Sequence, residues 1–242
     1  MSINTTHENI NTWLSHLKED YKVAISVDCV IFGYDNQELK VLLLESNMPP
    51  FEGQESLVGD LVRPSETLDD AAQRILEQRT GIINLYLEQV ATFSDIDRHP
   101  LGRVISTAYY SLIKVQDYAP EVKPDGLKVT WKSIQDINQL AFDHNLILNT
   151  CLQMLQRRVR EKPIGFSLLP HKFTLKQLQS LYEAILGIKL DKRNFRRKIK
   201  NSEILIEHSE SQQDVRHRPA KYYSFNKENY NRKLEAGYSF DI

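Results

Sequence analysis

The sequence predicts an α+β fold divided into two domains, on three observations. Charge separates along the chain: residues 1–150 carry 12 basic and 22 acidic side chains, and the remainder carries 19 basic and 10 acidic ones. Strand-like and helix-like apolar periods alternate up to about residue 160. Beyond that point a helix, a tight turn, a basic helix and a basic hairpin follow in order. A strongly basic rear half suits a polyanionic partner. Attraction between the two halves is the competing reading of the charge alone.

In the front half, residues 8–20 place Ile10, Trp13, Leu14 and Leu17 at helical spacing and predict a short amphipathic helix. VAISVDCVIFGY and LKVLLL, separated by the polar turn DNQ, read as a hairpin rich in β-branched residues. TLDDAAQRILEQR puts Leu68, Ala71, Ala72, Ile75 and Leu76 on one stripe, with Gly81 at the stop position, and predicts a helix over 67–79. Strands are predicted at 86–93, 104–115 and KVTWKS. A linker helix over 143–160 carries Leu146, Leu148, Leu152 and Leu155 and turns basic towards its end, before Pro163. The domains are placed at 1–158 and 159–242.

In the rear half, Thr174 and Gln177 have the spacing of a capping box, and Leu175, Leu178, Leu181, Tyr182 and Ile185 form the buried stripe of the helix that follows. After Gly187 and a short turn, Asp191 caps KRNFRRKIKN, whose only large apolar residues are Phe195 and Ile199. At about 100° per residue, the direction opposite them falls on Arg197, flanked by Arg193, Asn194, Lys200 and Asn201. Arginine can donate two hydrogen bonds to guanine and asparagine can pair with the adenine edge, which is what a recognition helix in a major groove requires. Lys192, Arg196 and Lys198 flank this face and suit phosphates, and Thr174 and Gln177 at the start of the preceding helix are also candidate DNA contacts. EILIEH and KYYSF, joined by a loop with Arg216, His217, Arg218 and, at its end, Lys221, read as a basic wing. A merely solvated charged helix is the plain alternative.

No stretch reaches the roughly 20 apolar residues of a membrane span and the N-terminus has no secretory layout, so a cytoplasmic location is expected. Cys29 and Cys151 lie far apart in apolar surroundings and predict two buried free thiols, with no disulfide and no zinc site.

The segment GDLVRPSETLDDAAQRILEQRTGI, residues 59–82, resembles the Nudix box, whose pattern is Gx5Ex7REUxEExGU with U bulky and apolar. With Gly81 and Ile82 on the closing GU, Glu66, Arg74 and Leu76 fall on the Glu, Arg and U positions, and the opening glycine position falls on Asp60, one residue after Gly59. The three carboxylates of REUxEE fall on Ile75, Gln78 and Arg79. In Nudix hydrolases those acids hold the magnesium that offsets diphosphate charge and activates water. An apolar group, an amide and a cation cannot, so neither Nudix hydrolysis nor a resident metal or cofactor is expected.

From Val23 to Phe225 the chain is similar to the Nudix-related transcriptional regulators of the NrtR type. YLEQVATFSDIDRHPLGRVISTAYYSL, AFDHNLIL and FTLKQLQSLYEAILGIKLDKRNFRRKI carry the resemblance. It implies a Nudix-like α/β/α sandwich followed by a C-terminal winged helix-turn-helix. It further implies a homodimer on a palindromic double-stranded operator, usually as a repressor, with a small effector bound by the first domain. Effectors in the family include ADP-ribose and sugars such as arabinose, and the eroded box favours a sugar. Glu45, Arg63, Glu66, Asp95, Asp97, Arg98, His99 and Arg103 are the candidate effector contacts, since carboxylates and arginines hydrogen-bond hydroxyls. Each can equally serve as a loop-stabilising ion pair. The rival classes are a magnesium-dependent hydrolase of ADP-ribose or a related nucleoside diphosphate derivative, and a module whose basic domain meets RNA or protein. The absence of an aromatic-rich platform argues against RNA.

Overall fold

Apolar residues of alternating parity along one strand demand cover on both faces, and this requirement organises the front domain. The computed structural model describes residues 22–100, 102–118, 128–213, 219–238 and 240. The helix predicted over 8–20 and the wing residues Arg216, His217 and Arg218 lie outside them. Strand β1 (Ala24–Asp35) is central to a seven-stranded mixed sheet. It pairs antiparallel with β2 (Glu38–Glu45) and with β4 (Val58–Leu61), and parallel with β6 (Val104–Lys114). β3 (Glu55–Ser56) and β7 (Val129–Ser133) add to β2, and β5 (Glu88–Phe93) adds to β6. The β1–β2 turn, Asn36 and Gln37, has positive φ at both residues (47° and 68°), the two-residue geometry whose twist matches a hairpin.

Helix α1 (Leu68–Thr80) begins at a Thr67–Asp70 capping box and ends at Gly81 in the left-handed conformation. Its buried Ala71, Ala72, Ile75 and Leu76 pack with Val27, Cys29 and Ile31 of β1. The opposite parity of β1, Val30 and Phe32, packs with Ile147, Leu148, Cys151 and Leu155 of helix α2 (His144–Glu161). Helix, sheet and helix form the α/β/α layers. Cys29 and Cys151 are free and buried. β5 starts two residues later than its predicted strand, and Tyr86 ahead of it is 79% exposed.

Helix α3 (Leu175–Leu186) opens with the Thr174–Gln177 box and stops at Gly187, φ 67°. Helix α4 (Lys192–Asn201) is capped by the Asp191 carboxylate and buries only Phe195 and Ile199. β8 (Leu205–Ser211) and β9 (Lys221–Phe225) form the two-stranded wing hairpin, and Phe173 makes a single antiparallel bridge to Tyr223. A closing helix, α5 (Lys227–Glu235), packs Tyr230 on Phe225 with ring centroids 5.7 Å apart. It was not expected from the sequence.

The winged helix is not hung on a free linker. One apolar cluster runs from Phe32, Val41 and Leu43 of the sheet through Leu155 and Val159 of α2 to Leu181, Tyr182 and Phe195. Gln156 donates to the terminal carbonyls of α3 at Ile185 and Leu186 (3.1 and 3.4 Å). Arg158 pairs with Glu88, which also accepts from Tyr110 at 3.0 Å. Among the described residues no helix is long and apolar enough to cross a membrane.

Candidate functional site

Asp28 sits in the middle of β1 with the parity of Val30 and Phe32, so its carboxylate turns towards the start of α2 rather than towards solvent. It is 5% exposed. Such a charge is tolerated in the interior only when hydrogen-bonded. The Ser106 hydroxyl on β6 donates to one carboxylate oxygen, and Nε2 of His144, first residue of α2, faces the other at 3.5 Å. His144 Nδ1 accepts from the Leu57 backbone N–H at 3.0 Å, which leaves the ring proton on Nε2, aimed at Asp28. Burial alone would push the Asp28 carboxyl up. The hydrogen bond and electrostatic pull of His144, with help from Ser106 and Arg98, outweigh it and hold the carboxyl below its ordinary value. Gly59 pairs with Asp28 across β4, and a Cβ there would collide with the Asp28 carboxylate and come within 3.0 Å of the Val27 carbonyl. The first glycine of the box is therefore required by Asp28.

This pair forms the floor of a cleft of about 130 Å³, partly open to solvent. Its walls include Ser26, Glu45, Ser56, Arg98, His99 and Phe142. Phe142 holds a left-handed backbone, φ 54°, unusual for a bulky residue and characteristic of sites where the fold over-determines a strained residue. It stacks on His99 (5.0 Å, 10°) and lies 5.1 Å from the His144 ring. Arg98 grips Asp143, the residue before α2, through two hydrogen bonds of 2.8 and 2.7 Å. Two anchors, Arg98–Asp143 and Asp28–His144, thus tie the cleft to the start of the helix that ends in the winged domain.

Of the candidate contacts, Glu45, Arg98 and His99 line the cleft together. Arg63, Glu66, Asp95, Asp97 and Arg103 are not among its lining residues. Glu66 is engaged by Arg74 through two hydrogen bonds (2.6 and 2.8 Å) and accepts from the Arg63 backbone at 2.8 Å. Arg103 donates to the Ser94 and Asp95 carbonyls and holds that loop. Asp28, Phe142 and His144 were missed. A lone carboxylate inside VAISVDCVIF was the available signal for the first.

Glu66 and Arg74 form a clasp, while the three residues expected on the carboxylate positions of the box pattern take other roles. Ile75 is fully buried under the sheet, Gln78 accepts from Arg74 at 3.0 Å, and Arg79 pairs with Asp60 at 2.5 Å. Among the described residues there is no group of three or more His, Cys, Asp or Glu side chains that could hold a metal ion.

The clasp predicts a pH dependence. Hydrogen bonds from Arg74 and the Arg63 backbone lower the Glu66 carboxyl from 4.5 to about 2, and Asp28 is also lowered, from 3.8. A depressed folded value means stabilisation that is complete above the unfolded value and lost as pH falls through the folded one. Urea midpoints should therefore drop between pH 4.5 and 2, and Glu66→Gln should flatten that drop. An identical acid limb in the variant would remove Glu66 from the account.

On α4, Arg193, Asn194, Arg197, Lys198, Lys200 and Asn201 are exposed, as is Lys192, whereas Arg196 is half-buried. Arg197 donates to the Asn194 side chain at 2.7 Å, so two hydrogen-bonding groups of the outer face are held together. Lys200 leans to the wing, 5.9 Å from the Tyr223 ring, and Lys221 is paired with Glu207. Thr174 and Gln177 spend their side chains on the cap of α3.

Residues 22–151 match the NUDIX domain model and residues 165–225 match the NrtR DNA-binding winged helix domain. The chain is 31% identical over 236 residues to the ADPR responsive transcriptional repressor NtrR of Acinetobacter baylyi, covering 95% of this chain and 94% of the relative. The crystal structure of Shewanella oneidensis NrtR complexed with a 27mer DNA superposes with a TM-score of 0.69 at 28% identity, over 89% of this chain and 97% of that one. The NUDIX domain of the same Shewanella protein, complexed with ADP ribose, matches with a TM-score of 0.51 at 27% identity, over 59% and 97%. A Nudix domain followed by a winged helix domain is what these matches describe, and the chain belongs to the NrtR-type family of transcriptional regulators.

Proposed function

We propose that the protein is a cytoplasmic transcriptional repressor that binds a palindromic operator as a homodimer and releases it when a pentose-bearing effector fills the Nudix cleft. The observation that carries the reading is the α4 face. Phe195 and Ile199 fix its inner side, and Arg193, Asn194 and Arg197 stand outside, hydrogen-bonding groups suited to guanine and adenine edges. ADP-ribose is the effector favoured by the Acinetobacter relative and by the Shewanella Nudix domain. A free pentose such as arabinose is the second reading, favoured by charge. Asp28, Glu45 and Asp60 line the cleft against Arg79 and Arg98, and each arginine already pairs with a carboxylate. Hydroxyls, in either case, are what the Asp28 carboxylate and the neighbouring serines are suited to receive.

A Nudix-type magnesium does not fit. The site would require an ion beside a buried isoleucine, a committed amide and a guanidinium, and a hard cation takes oxygen ligands, chiefly carboxylates. We therefore read the front domain as a receptor rather than a hydrolase.

The test is a fluorescence-anisotropy titration of the full chain on a duplex from its own upstream region, with ADP-ribose, ribose and arabinose added in turn. Affinity should fall steeply with salt. Arg197→Ala should weaken specific binding by about 10- to 100-fold, equivalent to about 1–3 kcal/mol per base contact. Salt-independent binding, or magnesium-dependent turnover of ADP-ribose, would overturn the proposal.

A further inference from the structure

A groove of about 880 Å³ lies where the two domains meet. Tyr34 and Gln37 of the β1–β2 hairpin form one side, and Lys176, Gln177, Lys192 and Arg196 of the winged helix form the other. Among the described residues three cations line it and no carboxylate does. Among the described residues Lys176, Lys192 and Arg196 make no ion pair. Arg196 goes further: its Nε is buried with no hydrogen-bond partner. A buried cationic donor without an acceptor is costly, because it has lost water and gained nothing. An anion in the groove would offset the charge of this guanidinium and of the two lysines beside it.

The anion's identity follows from position. Arg196 is one residue from Arg197 and one turn from Lys192 and Lys200, so the groove runs directly beside the outer face of α4. When a recognition helix lies in a major groove, the flanking sugar-phosphate backbone passes along its side. Resting on the DNA-binding reading above, we propose that an operator phosphate occupies this groove on Arg196 and Lys192, and that the sensor domain's hairpin at Gln37 is its second wall. The Nudix domain then touches the DNA complex directly, through an exposed two-residue turn that follows the strand carrying Asp28 in its middle.

The experiment measures operator affinity of the full chain across a salt series. Arg196→Gln should weaken binding about tenfold and reduce the slope of log affinity against log salt by about one, the signature of a lost phosphate contact. Gln37 is exposed and remote from the winged helix's own fold, so its variants isolate the sensor wall. Gln37→Glu should weaken binding several-fold, and Gln37→Lys should strengthen it about threefold with a steeper slope, all with unchanged melting temperature. Gln37 variants indistinguishable from the parent in affinity and slope would overturn the shared wall, even if Arg197→Ala abolishes binding as the regulator reading requires. If inorganic phosphate at matched ionic strength raises the melting temperature of the parent but not of Arg196→Gln, while the DNA salt slope is the same in both, the groove holds a free anion and the inference fails. Absent operator binding by the parent would remove the regulator reading itself and the inference with it.

Discussion

Asp28→Ala is expected to lower folding stability by about 2–4 kcal/mol, since each buried donor left without an acceptor costs about 1–3 kcal/mol. The truncation leaves the His144 Nε2–H and the Ser106 hydroxyl without their acceptor in the interior, and opens a void beside Gly59. Asp28→Asn separates the terms. Its amide oxygen can still accept from His144 and its volume is nearly unchanged, so the loss should be closer to the 1–2 kcal/mol of a weakened hydrogen bond. Urea denaturation of the three proteins at neutral pH checks the ranking. Equal stability of parent and Asp28→Ala would show that the carboxylate is not the keystone of this sheet. Both variants should also lose the effector response in the operator titration, since the asparagine offers one acceptor where the carboxylate offers two.

Phe195→Ala is expected to cost about 3–5 kcal/mol and to abolish operator binding. Phe195 is 3% exposed and its ring packs 5.6 Å from that of Tyr182 on α3, so it is one of two apolar residues that set the rotation of α4. Without it, Ile199 alone cannot keep Arg193 and Arg197 turned outward. Because Phe195 belongs to the cluster that continues into the sheet, the loss should appear in the single unfolding transition of the whole chain. A separate early transition, with the front domain melting as in the parent, would contradict that continuity.

Helices α1 and α3 were legible in the sequence for reasons that are local. Thr67 with Gly81, and Thr174 with Gly187, each supply a start and a stop, and the apolar stripes between them name the buried faces that the structure shows. The basic face of α4 was equally legible, because two apolar residues four apart leave only one way to turn the helix. The cleft was not. Asp28, Phe142 and His144 are brought together by a parallel crossover and a left-handed backbone step, and neither leaves a periodic trace. Charged residues near the box were visible, yet Glu66 and Arg103 are occupied in holding loops, which spacing alone cannot distinguish from reaching a ligand. The half-burial of Arg196 was hidden for a related reason: helical periodicity places it beside the outer face, and only the neighbouring wing and hairpin close over it.

The apolar cluster that runs unbroken from the sheet into the winged helix bears on how such a regulator changes over generations. Two modules joined by a loose tether can be reshuffled, each carrying its own finished surface. Here the reader's inner wall is the sensor's outer wall, from Val41 and Leu43 to Leu181 and Tyr182. A transplanted sensor would arrive with the wrong relief and leave that wall wet. New inducers should therefore arise by point changes around the Asp28 cleft, with the scaffold inherited whole, and descendants answering to different small molecules should still share the residues of the seam.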